Sequence, residues 1–304
     1  GQVNPFGLAW DAHGNLFASD CHSEPLYQLL AGGFYPSFGK PHDGLGFAPR
    51  MMDRKRGSTA IDGVSIYTDN LWPAEYHGNI FFCDVMTSRV YRDRLTAHGS
   101  TLTSHAMADF VSTDDPWFRP VDTVLGPDGA LYIADFYNCI IGHYEVPLDH
   151  PRRDRTHGRV WRVVYKGADG KATSPRPLPD LTALKTAELV TELSDNNLTV
   201  RTLATNWLVD AVQNRPEAER DQLRQATVNA VRTAIQADPS QAEGRAHGLW
   251  VIERLGGLND DDLNRLASDK SPLVRTHTMR VLAERGPWKD ADFVRVQTCL
   301  KDEN

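Results

Sequence analysis

The sequence has few of the features that mark several broad classes of protein. Only four of its 304 residues are cysteine, with no CxxC pair, no CxxCH haem-attachment motif and no zinc-type spacing. A net charge of −7 and a pI of about 5.9 disfavour a broad nucleic-acid-binding surface. No apolar run approaches the roughly 18 residues of a membrane span. We therefore expect free thiols, no haem c on this chain, no nucleic-acid partner and no membrane span in it.

What the sequence does contain is a repeat in its first half. LAWDAHGNLFASD (residues 8–20) aligns without a gap with TVLGPDGALYIAD (residues 123–135), and WPAEYHGNIFFCD (residues 72–84) fits the same frame. Each copy has an apolar strand, a polar turn with glycine and a second apolar strand, which predicts a β-hairpin. Further strands are predicted in PLYQLLAGG, SRVYRDRL and IIGHYEV, one after each hairpin. The second unit also carries GVSIYT, and GRVWRVVYKG is an alternating strand that either finishes the last blade or closes the ring.

Antiparallel sheets repeated roughly every 40–65 residues predict the blades of a β-propeller. We expect about three blades of a six-bladed ring in residues 1–166. Three blades cannot close such a ring, so the missing blades are expected to precede Gly1 in a longer protein or to come from another chain. The sequence enters a repeat directly at GQVNPFG, as an excised piece would.

The hairpins also predict where polar residues meet. In an antiparallel hairpin the start of the first strand lies beside the end of the second. Asn4 should therefore lie near Asp20, and Arg119 near Asp135. The same argument places Ser58 and Thr59 near Asp84. If the first strand of each hairpin is the innermost, these residues share one rim of a central channel.

The second half of the chain changes its hydrophobic period. Residues 167–180 include ADGKATSPRPLP and are a linker by composition. From residue 181 to 304, apolar residues recur at helical spacing in seven segments. Val200 and Arg201 align with Val274 and Arg275, at about twice the length of a HEAT repeat. The sequence thus predicts a β domain followed by a HEAT-like α-solenoid. In such a solenoid, Arg201 and Arg275 are expected to form structural ladders with Asp195 and Asp269.

Taken together, these motifs resemble a known family. NPFGLAWDAHGNLFASDCHSEPLYQL, WPAEYHGNIFFCDVMTSRVYRDRL, FRPVDTVLGPDGALYIADFYN and the helical half look like the large bacterial proteins named membrane-bound dehydrogenases. Those proteins combine a six-bladed propeller, similar to soluble glucose and sorbosone dehydrogenases, with HEAT repeats and a c-type cytochrome domain. The resemblance implies that this chain holds the C-terminal half of the propeller and the HEAT region, and that haem c belongs to a domain absent from it.

The resemblance also implies a cofactor site. In the catalytic relatives, pyrroloquinoline quinone and a calcium ion lie over the channel mouth, and a histidine takes the substrate hydroxyl proton. Asn4, Arg119 and Asp122 are the implied cofactor-binding residues. The backbone carbonyls of His22 and Ser23 fall where calcium is held by hard oxygen ligands, with Asp20 as a further candidate ligand. The base is expected outside this chain, with His22 and His42 as candidates within it.

This chain departs from the family pattern at three cationic positions. Val3 and Val121 stand where arginines are expected, and Met86 stands where a lysine is expected. An anionic tricarboxylate quinone would lose these partners unless others, such as Arg50, Arg54 or Arg89, replace them. In the alternative interpretation these residues bind no cofactor, and Asn4, Arg119 and Asp122 cap strands and pair with neighbouring groups. Likewise, Asp20, Asp84 and Asp135 would cap turns.

Two functions are therefore open. The first is a piece of a periplasmic or cell-surface oxidoreductase that oxidises a sugar or alcohol with the quinone and passes electrons to a c-type cytochrome. The second is a propeller and solenoid scaffold that has lost the cofactor and binds carbohydrate or protein. Val3, Met86 and Val121 favour the scaffold, whereas the family resemblance favours the oxidoreductase.

Overall fold

Two compact units, residues 1–177 and 178–304, make up the chain. The computed structural model describes residues 4–21, 25–35, 48, 51–52, 60–142, 145–171, 176–178, 180–237 and 240–303. In these ranges the first unit is built of β-strands and the second of helices, so the predicted order of β followed by α is confirmed. The division falls inside the segment predicted to be a linker. All four cysteines are free, as expected.

The first unit contains three antiparallel sheets. Its strands are β1 (Pro5–Trp10), β2 (Leu16–Asp20), β3 (Leu26–Leu29), β4 (Ile61–Ile66), β5 (Ile80–Asp84), β6 (Arg89–His98), β7 (Thr101–Ala106), β8 (Val111–Ser112), β9 (Pro120–Leu125), β10 (Leu131–Asp135) and β11 (Arg159–Val163). The first sheet has the order β1-β2-β3 and the third β11-β10-β9. The second sheet has the order β4-β5-β6-β7, and β8 also pairs with β6.

Two apolar cores separate the three sheets. One core joins the first sheet to the second and includes Phe17, Val64 and Phe82. The other joins the second sheet to the third and includes Phe81 and Leu131. Because successive side chains of a strand point to opposite faces, Phe81 and Phe82 enter different cores. The second sheet is therefore covered on both faces, as a sheet in the middle of a stack must be.

Two details of the predicted hairpins were wrong. The first strand of the second hairpin is Ile61–Ile66, whereas the WPAEYH segment lies in the loop and holds a short 3₁₀ turn, Ala74–Tyr76. There Trp72 stacks on Tyr67 at 4.4 Å between ring centroids. In addition, the described part of IIGHYEV is not a strand, and Arg159–Val163 supplies the third strand of the third sheet. Cross-strand partners distant in sequence decided both assignments.

The second unit contains seven helices in its described residues, one in each predicted segment. They are α1 (Thr186–Glu192), α2 (Leu198–Gln213), α3 (Glu217–Ala237), α4 (Ala242–Arg254), α5 (Asp260–Ala267), α6 (Pro272–Glu284) and α7 (Asp290–Cys299). The Asn197 side chain caps α2 by accepting from the backbone N–H groups of residues 199 and 200. None of the described helices combines the length and the apolar character that a bilayer crossing requires.

The two aligned arginines of the helical unit make the same contact. Arg201 donates to the carbonyl of Asp195 at 2.6 Å, and Arg275 donates to the carbonyl of Asp269 at 2.8 Å. Each guanidinium thus binds the backbone turn that precedes its helix. The carboxylate of Asp269 pairs instead with Arg245, at 2.7 Å. The sequence echo therefore reflects a repeated helix-entry geometry, while the HEAT assignment stays a prediction.

A histidine in α4 should make the helical unit sensitive to acid. Burial, followed by the charges of Arg201 and His277, lowers the pKa of His247 to about 3. Thr205 donates its hydroxyl proton to the carbonyl of Arg201, so its oxygen can accept from His247 Nδ1, 3.0 Å away. In the unfolded chain, the pKa of a histidine is near 6.5. This stabilisation is therefore complete above pH 6.5 and is lost as the pH falls towards 3, by at most about 1.4 kcal/mol per pH unit.

The expected result is that replacing His247 by Asn flattens the pH dependence of helical-unit stability between pH 6.5 and 4. Circular dichroism at helix-sensitive wavelengths during urea unfolding would measure this change. His105, an exposed histidine of the first unit, is the matched control, and His105→Asn should leave the profile of the helical unit unchanged. If the free energy of unfolding changed with pH equally in wild type and in His247→Asn, the role of His247 would be contradicted.

Candidate functional site

The three hairpins share one local geometry. Each first strand opens opposite the aspartate that ends the second strand; the pairs are Pro5 with Asp20, Ile61 with Asp84 and Pro120 with Asp135. An irregularity in pairing adjoins each pair. In each sheet the residue after the aspartate donates its N–H to the carbonyl of the residue before the first strand, at 3.4, 3.2 and 2.8 Å. The repeat read from the sequence is therefore a repeat of backbone structure.

The first strands of the three sheets are neighbours. A Cβ on Gly7 of β1 would lie 2.6 Å from a backbone nitrogen of β4, and a Cβ on Gly63 of β4 would overlap Asp122 of β9. Further along, the hydroxyl groups of Ser65 and Thr123 are 2.7 Å apart. From the first of these contacts to the second, the residue numbers increase on both strands, from Gly63 to Ser65 on β4 and from Asp122 to Thr123 on β9. The starts of β4 and β9, with the aspartates beside them, thus lie at one end of the unit, which we call the rim.

Arg119, a predicted cofactor ligand, donates its hydrogen bonds to other groups of the protein. Its guanidinium donates to the carbonyls of Asn138 (2.9 Å), Val85 (3.0 Å), Met86 (3.3 Å) and Cys139 (3.3 Å) and to the hydroxyl of Ser88 (3.1 Å). These groups lie in the turns after β5 and β10, so Arg119 ties the second sheet to the third. An anionic ligand would have to compete with five hydrogen bonds for this cation.

Asp135 is likewise committed to internal contacts. Its Oδ1 accepts from the backbone N–H groups of Arg119 and Tyr137, both at 2.9 Å. Its Oδ2 accepts from Arg159 Nε at 2.7 Å and Trp161 Nε1 at 2.9 Å. Tyr137 adopts a left-handed φ of 53°, which a non-glycine residue rarely occupies without support. The carboxylate therefore holds a strained turn in place.

Asp84 occupies the equivalent position in the second sheet. Its Oδ1 accepts from the N–H groups of Met86 and Thr87 at 3.0 and 3.1 Å, and its Oδ2 accepts from the Tyr91 hydroxyl at 3.1 Å. Asp84 is fully buried. Three donors from the turn after β5 and from β6 thus surround this carboxyl group inside the rim.

Next to Asp84, the rim contains two carboxyl groups of a different kind. Burial, followed by the charges of Asp84 and Asp122, raises the pKa of Asp62 to about 7. Burial against the neighbouring strand also raises the pKa of Asp122, and a hydrogen bond from Thr123 N–H to Oδ1, at 2.8 Å, opposes that rise. The second oxygen of Asp122 accepts no hydrogen bond from any described residue, and Asp122 as a whole is exposed. This oxygen is an open hydrogen-bond acceptor.

The rim thiols respond to the same negative field. Burial, followed by the charges of Asp62, Asp20 and Asp84, raises the pKa of Cys21. Burial, followed by Asp122, Asp62 and Asp84, raises the pKa of Cys83 well above its ordinary value. Both thiols are therefore protonated at neutral pH. The charges that surround them at the rim are carboxylates from all three sheets.

The remaining predicted site residues are placed as follows. Asn4 is exposed at the rim with a φ of 51°, and Asp20 is buried at the end of β2. Val3, His22, Ser23, His42, Arg50, Arg54, Ser58 and Thr59 lie outside the described residues. Among the residues that are described, no three His, Cys, Asp or Glu side chains come together in a way that could hold a metal ion. The assigned cofactor and calcium roles stay predictions.

Asp62 was missed by the sequence analysis, although a signal was present. Asp62 is the second residue of β4. The strand pairing makes it equivalent to Phe6 and Val121, which are the second residues of β1 and β9. An alignment that started from IDGVSI, instead of from WPAEYH, would have shown an aspartate at an apolar position of the repeat. Such an exception in an otherwise consistent pattern indicates a functional residue.

Comparisons with known proteins give distant likenesses. A family model described as Domain of unknown function (DUF7133) matches residues 42–167. An oxidoreductase (glucose dehydrogenase) from Thermus thermophilus is 18% identical, with a TM-score of 0.38, over 52% of this chain and 44% of that one. Two further glucose dehydrogenase structures are 22% and 20% identical, with TM-scores of 0.32 and 0.34. These matches cover 44% and 54% of this chain and 38% and 46% of those chains.

The chain spans less than half the length of each of these solved structures. No curated protein matches its sequence. The function proposed below therefore rests on the chain's own side chains.

Proposed function

We propose that the three-sheet unit binds a neutral, hydroxyl-rich ligand, a carbohydrate or polyol, at the rim where β4 and β9 meet. The observation that carries this proposal is the Asp122 carboxylate, which has one oxygen fixed by a backbone N–H and the other open. A carboxylate held in this way accepts hydrogen bonds from ligand hydroxyl groups. The neighbouring ionisable groups, Asp62 and Asp84, are also carboxyl groups, so a neutral donor fits better than an anion.

An anionic quinone does not fit the described rim. Pyrroloquinoline quinone carries carboxylates, which need cationic partners. Arg119 is engaged by five internal acceptors, and Arg89 pairs with Asp109. Met86 and Val121 are apolar, and the charges that act on Asp62 are those of Asp84 and Asp122. A tricarboxylate placed here would meet like charges in a partly buried site, which opposes binding. The described residues therefore support ligand binding without this cofactor.

For the whole protein, we propose that further antiparallel sheets cover the two outer sheets. Phe6, Leu8 and Trp10 are exposed on one side of β1, and Val124 and Val160 are exposed on the third sheet. Exposed apolar faces of this extent are normally covered in a soluble protein. Additional blades would cover them, as the family resemblance implies for an extracytoplasmic protein. In that arrangement the helical unit would serve as a scaffold for a partner.

A second candidate function is oxidation of the bound sugar or alcohol, with electrons passing to a c-type cytochrome. The hairpin motifs that resemble the dehydrogenase family favour it, and the residues required would lie outside the described rim. Adding pyrroloquinoline quinone and calcium to the full-length protein with a sugar panel would test it by dye reduction. Cofactor-dependent reduction would support oxidation, whereas binding without reduction would leave the ligand-binding function alone.

Isothermal titration calorimetry with glucose, maltose and sorbitol tests the ligand-binding proposal. We expect at least one of these compounds to bind, and Asp122→Asn to weaken that binding about 10-fold or more, since a hydrogen bond to a charged group contributes roughly 1.5–3 kcal/mol. Asp169→Asn, which changes an exposed aspartate beyond the opposite end of β11, is the matched control and should bind normally. The proposal fails if Asp122→Asn and wild type bind equally, or if wild type binds pyrroloquinoline quinone and none of the three.

A further inference from the structure

Asp62 occupies a position that the repeat otherwise fills with an apolar side chain. Its equivalents are Phe6 in β1 and Val121 in β9. The neighbouring strand comes so close that only glycine fits at the next residue, Gly63, beside Asp122. Asp62 is only 4% exposed. A polar, ionisable group is thus buried at a position where the other two sheets carry an apolar side chain.

The carboxyl group of Asp62 has no hydrogen-bond partner at its buried oxygen. Its Oδ2 is fully enclosed and is one of the few buried side-chain atoms in the described residues that receive no donor. Asp84, on the adjacent strand of the same sheet, accepts from three donors. Buried polar groups in native proteins are nearly always paired, so an orphaned carboxyl oxygen points to a partner that arrives from outside.

All titratable groups that act on Asp62 disfavour its negative charge. Asp84 lies on the neighbouring strand β5, Asp122 lies on β9, and the thiols of Cys21, just after β2, and Cys83, on β5, are coupled to it. Burial and these carboxylates raise the pKa of Asp62 to about 7. The group therefore carries a proton for a large fraction of the time at neutral pH. A hydrogen-bond donor at Oδ2 would favour the carboxylate form and lower this pKa.

We propose that Asp62 is the buried acceptor that binds one hydroxyl group of the ligand. This inference rests on the proposed function and names the residue that selects the hydroxyl. The ligand hydroxyl keeps its proton and donates it as a hydrogen bond to Oδ2. The carboxyl proton of Asp62 passes to the solvent, so binding is coupled to proton release below neutral pH. Asp122, on the exposed side of the pair, orients the same ligand through its open oxygen.

The stability of the free protein gives the first test, which needs no ligand. Because the folded pKa of Asp62 is raised, the folded state binds more protons than the unfolded state between pH 4 and 7, and stability falls as the pH rises through that range. Asp62→Val installs the residue type found at the equivalent position of β9. We expect its midpoint of thermal unfolding to exceed that of wild type by about 3–8 °C at pH 8 and by less at pH 4.

Calorimetry with the sugar or polyol that wild type binds gives the second test. In two buffers of different ionisation enthalpy, wild type should release about half a proton or more at pH 6 and almost none at pH 8.5. Asp62→Val should bind at least about 10-fold more weakly and release no proton. Asp62→Asn, which keeps the shape of the side chain, should also lose the coupling to protons. These variants separate the carboxylate from the shape of the site.

The outcomes distinguish this inference from the proposed function. Wild type that binds no sugar or polyol overturns both. Wild-type binding that Asp62→Val preserves overturns the role of Asp62 alone. A loss of thermal stability in Asp62→Val at both pH values makes Asp62 structural and also overturns it. Calcium ions, added without sugar, are the last probe: if they stabilise wild type but not Asp62→Val, the carboxyl group binds a cation and the hydroxyl assignment is wrong.

Discussion

Replacing Arg119 by alanine should destabilise the three-sheet unit by roughly 3–5 kcal/mol, because each buried acceptor that loses its donor costs about 1–3 kcal/mol, the costs do not add fully, and four of the five acceptors are in partly buried contacts. The guanidinium joins the turn after β5 to the turn after β10 through four carbonyls and one hydroxyl. Removal would leave these acceptors without their donor at the junction of the second and third sheets. The two sheets would then lose the polar link at their rim end.

Urea unfolding followed by tryptophan fluorescence would measure the effect of Arg119→Ala. Arg155→Ala is the matched control because Arg155 is exposed, and its loss should change stability by less than about 0.5 kcal/mol. Arg119→Lys should remain strongly destabilised, since a single ammonium group cannot span both turns. If Arg119→Ala kept full stability but lost binding of a quinone, the predicted cofactor role would be correct and the structural one wrong.

Asp135→Asn is expected to destabilise the third sheet by roughly 2–4 kcal/mol. The carboxylate accepts from four donors, and it is only 3% exposed. An asparagine has the same shape, but an NH₂ group replaces one of the two carboxylate oxygens. This donor would face the N–H donors that the oxygen now accepts from. The Arg159 charge would lose this partner and keep Asp115, 3.1 Å away. The left-handed turn at Tyr137 would also lose the bond that supports it.

Thermal unfolding of Asp135→Asn would reveal this loss, with Asp114→Asn as control. Asp114 is exposed, and its substitution should leave the unfolding midpoint within about 1 °C of wild type. The two variants carry the same change of charge, so a difference between them reports the hydrogen bonds of Asp135. Equal midpoints would show that Asp135 does not hold the turn, and would reopen its use in binding a ligand.

Much of the architecture could be predicted because it depends on local pattern. The apolar residues of α2 and α6 recur at a helical period, and their helices form where that period occurs. The first and third hairpins likewise follow from alternating strands around a glycine turn, with φ values of 75° at Gly14 and 78° at Gly129. Even the meeting of each first strand with an aspartate follows from antiparallel pairing.

The candidate site was less predictable, and Arg119 and Asp62 show why. The sequence places an arginine before a strand, but only the packing of two turns decides that its donors are used by carbonyls of the protein. Asp62 lies in a strand with ordinary β character, and nothing local states that its carboxyl group will be enclosed. Burial and the field of Asp84 and Asp122 arise from packing between separate sheets. A property produced by distant neighbours cannot be read from a single segment.

The sequence by itself determined the order of β followed by α, the hairpin frame and the positions of the helices, because each depends on the side-chain period within a few turns of chain. The tertiary structure decided which strand opens the second sheet, which one closes the third, and which carboxyl oxygens remain open at the rim. These depend on strand pairing and on desolvation by groups far apart in the sequence, so their free energies exist only once the sheets have come together.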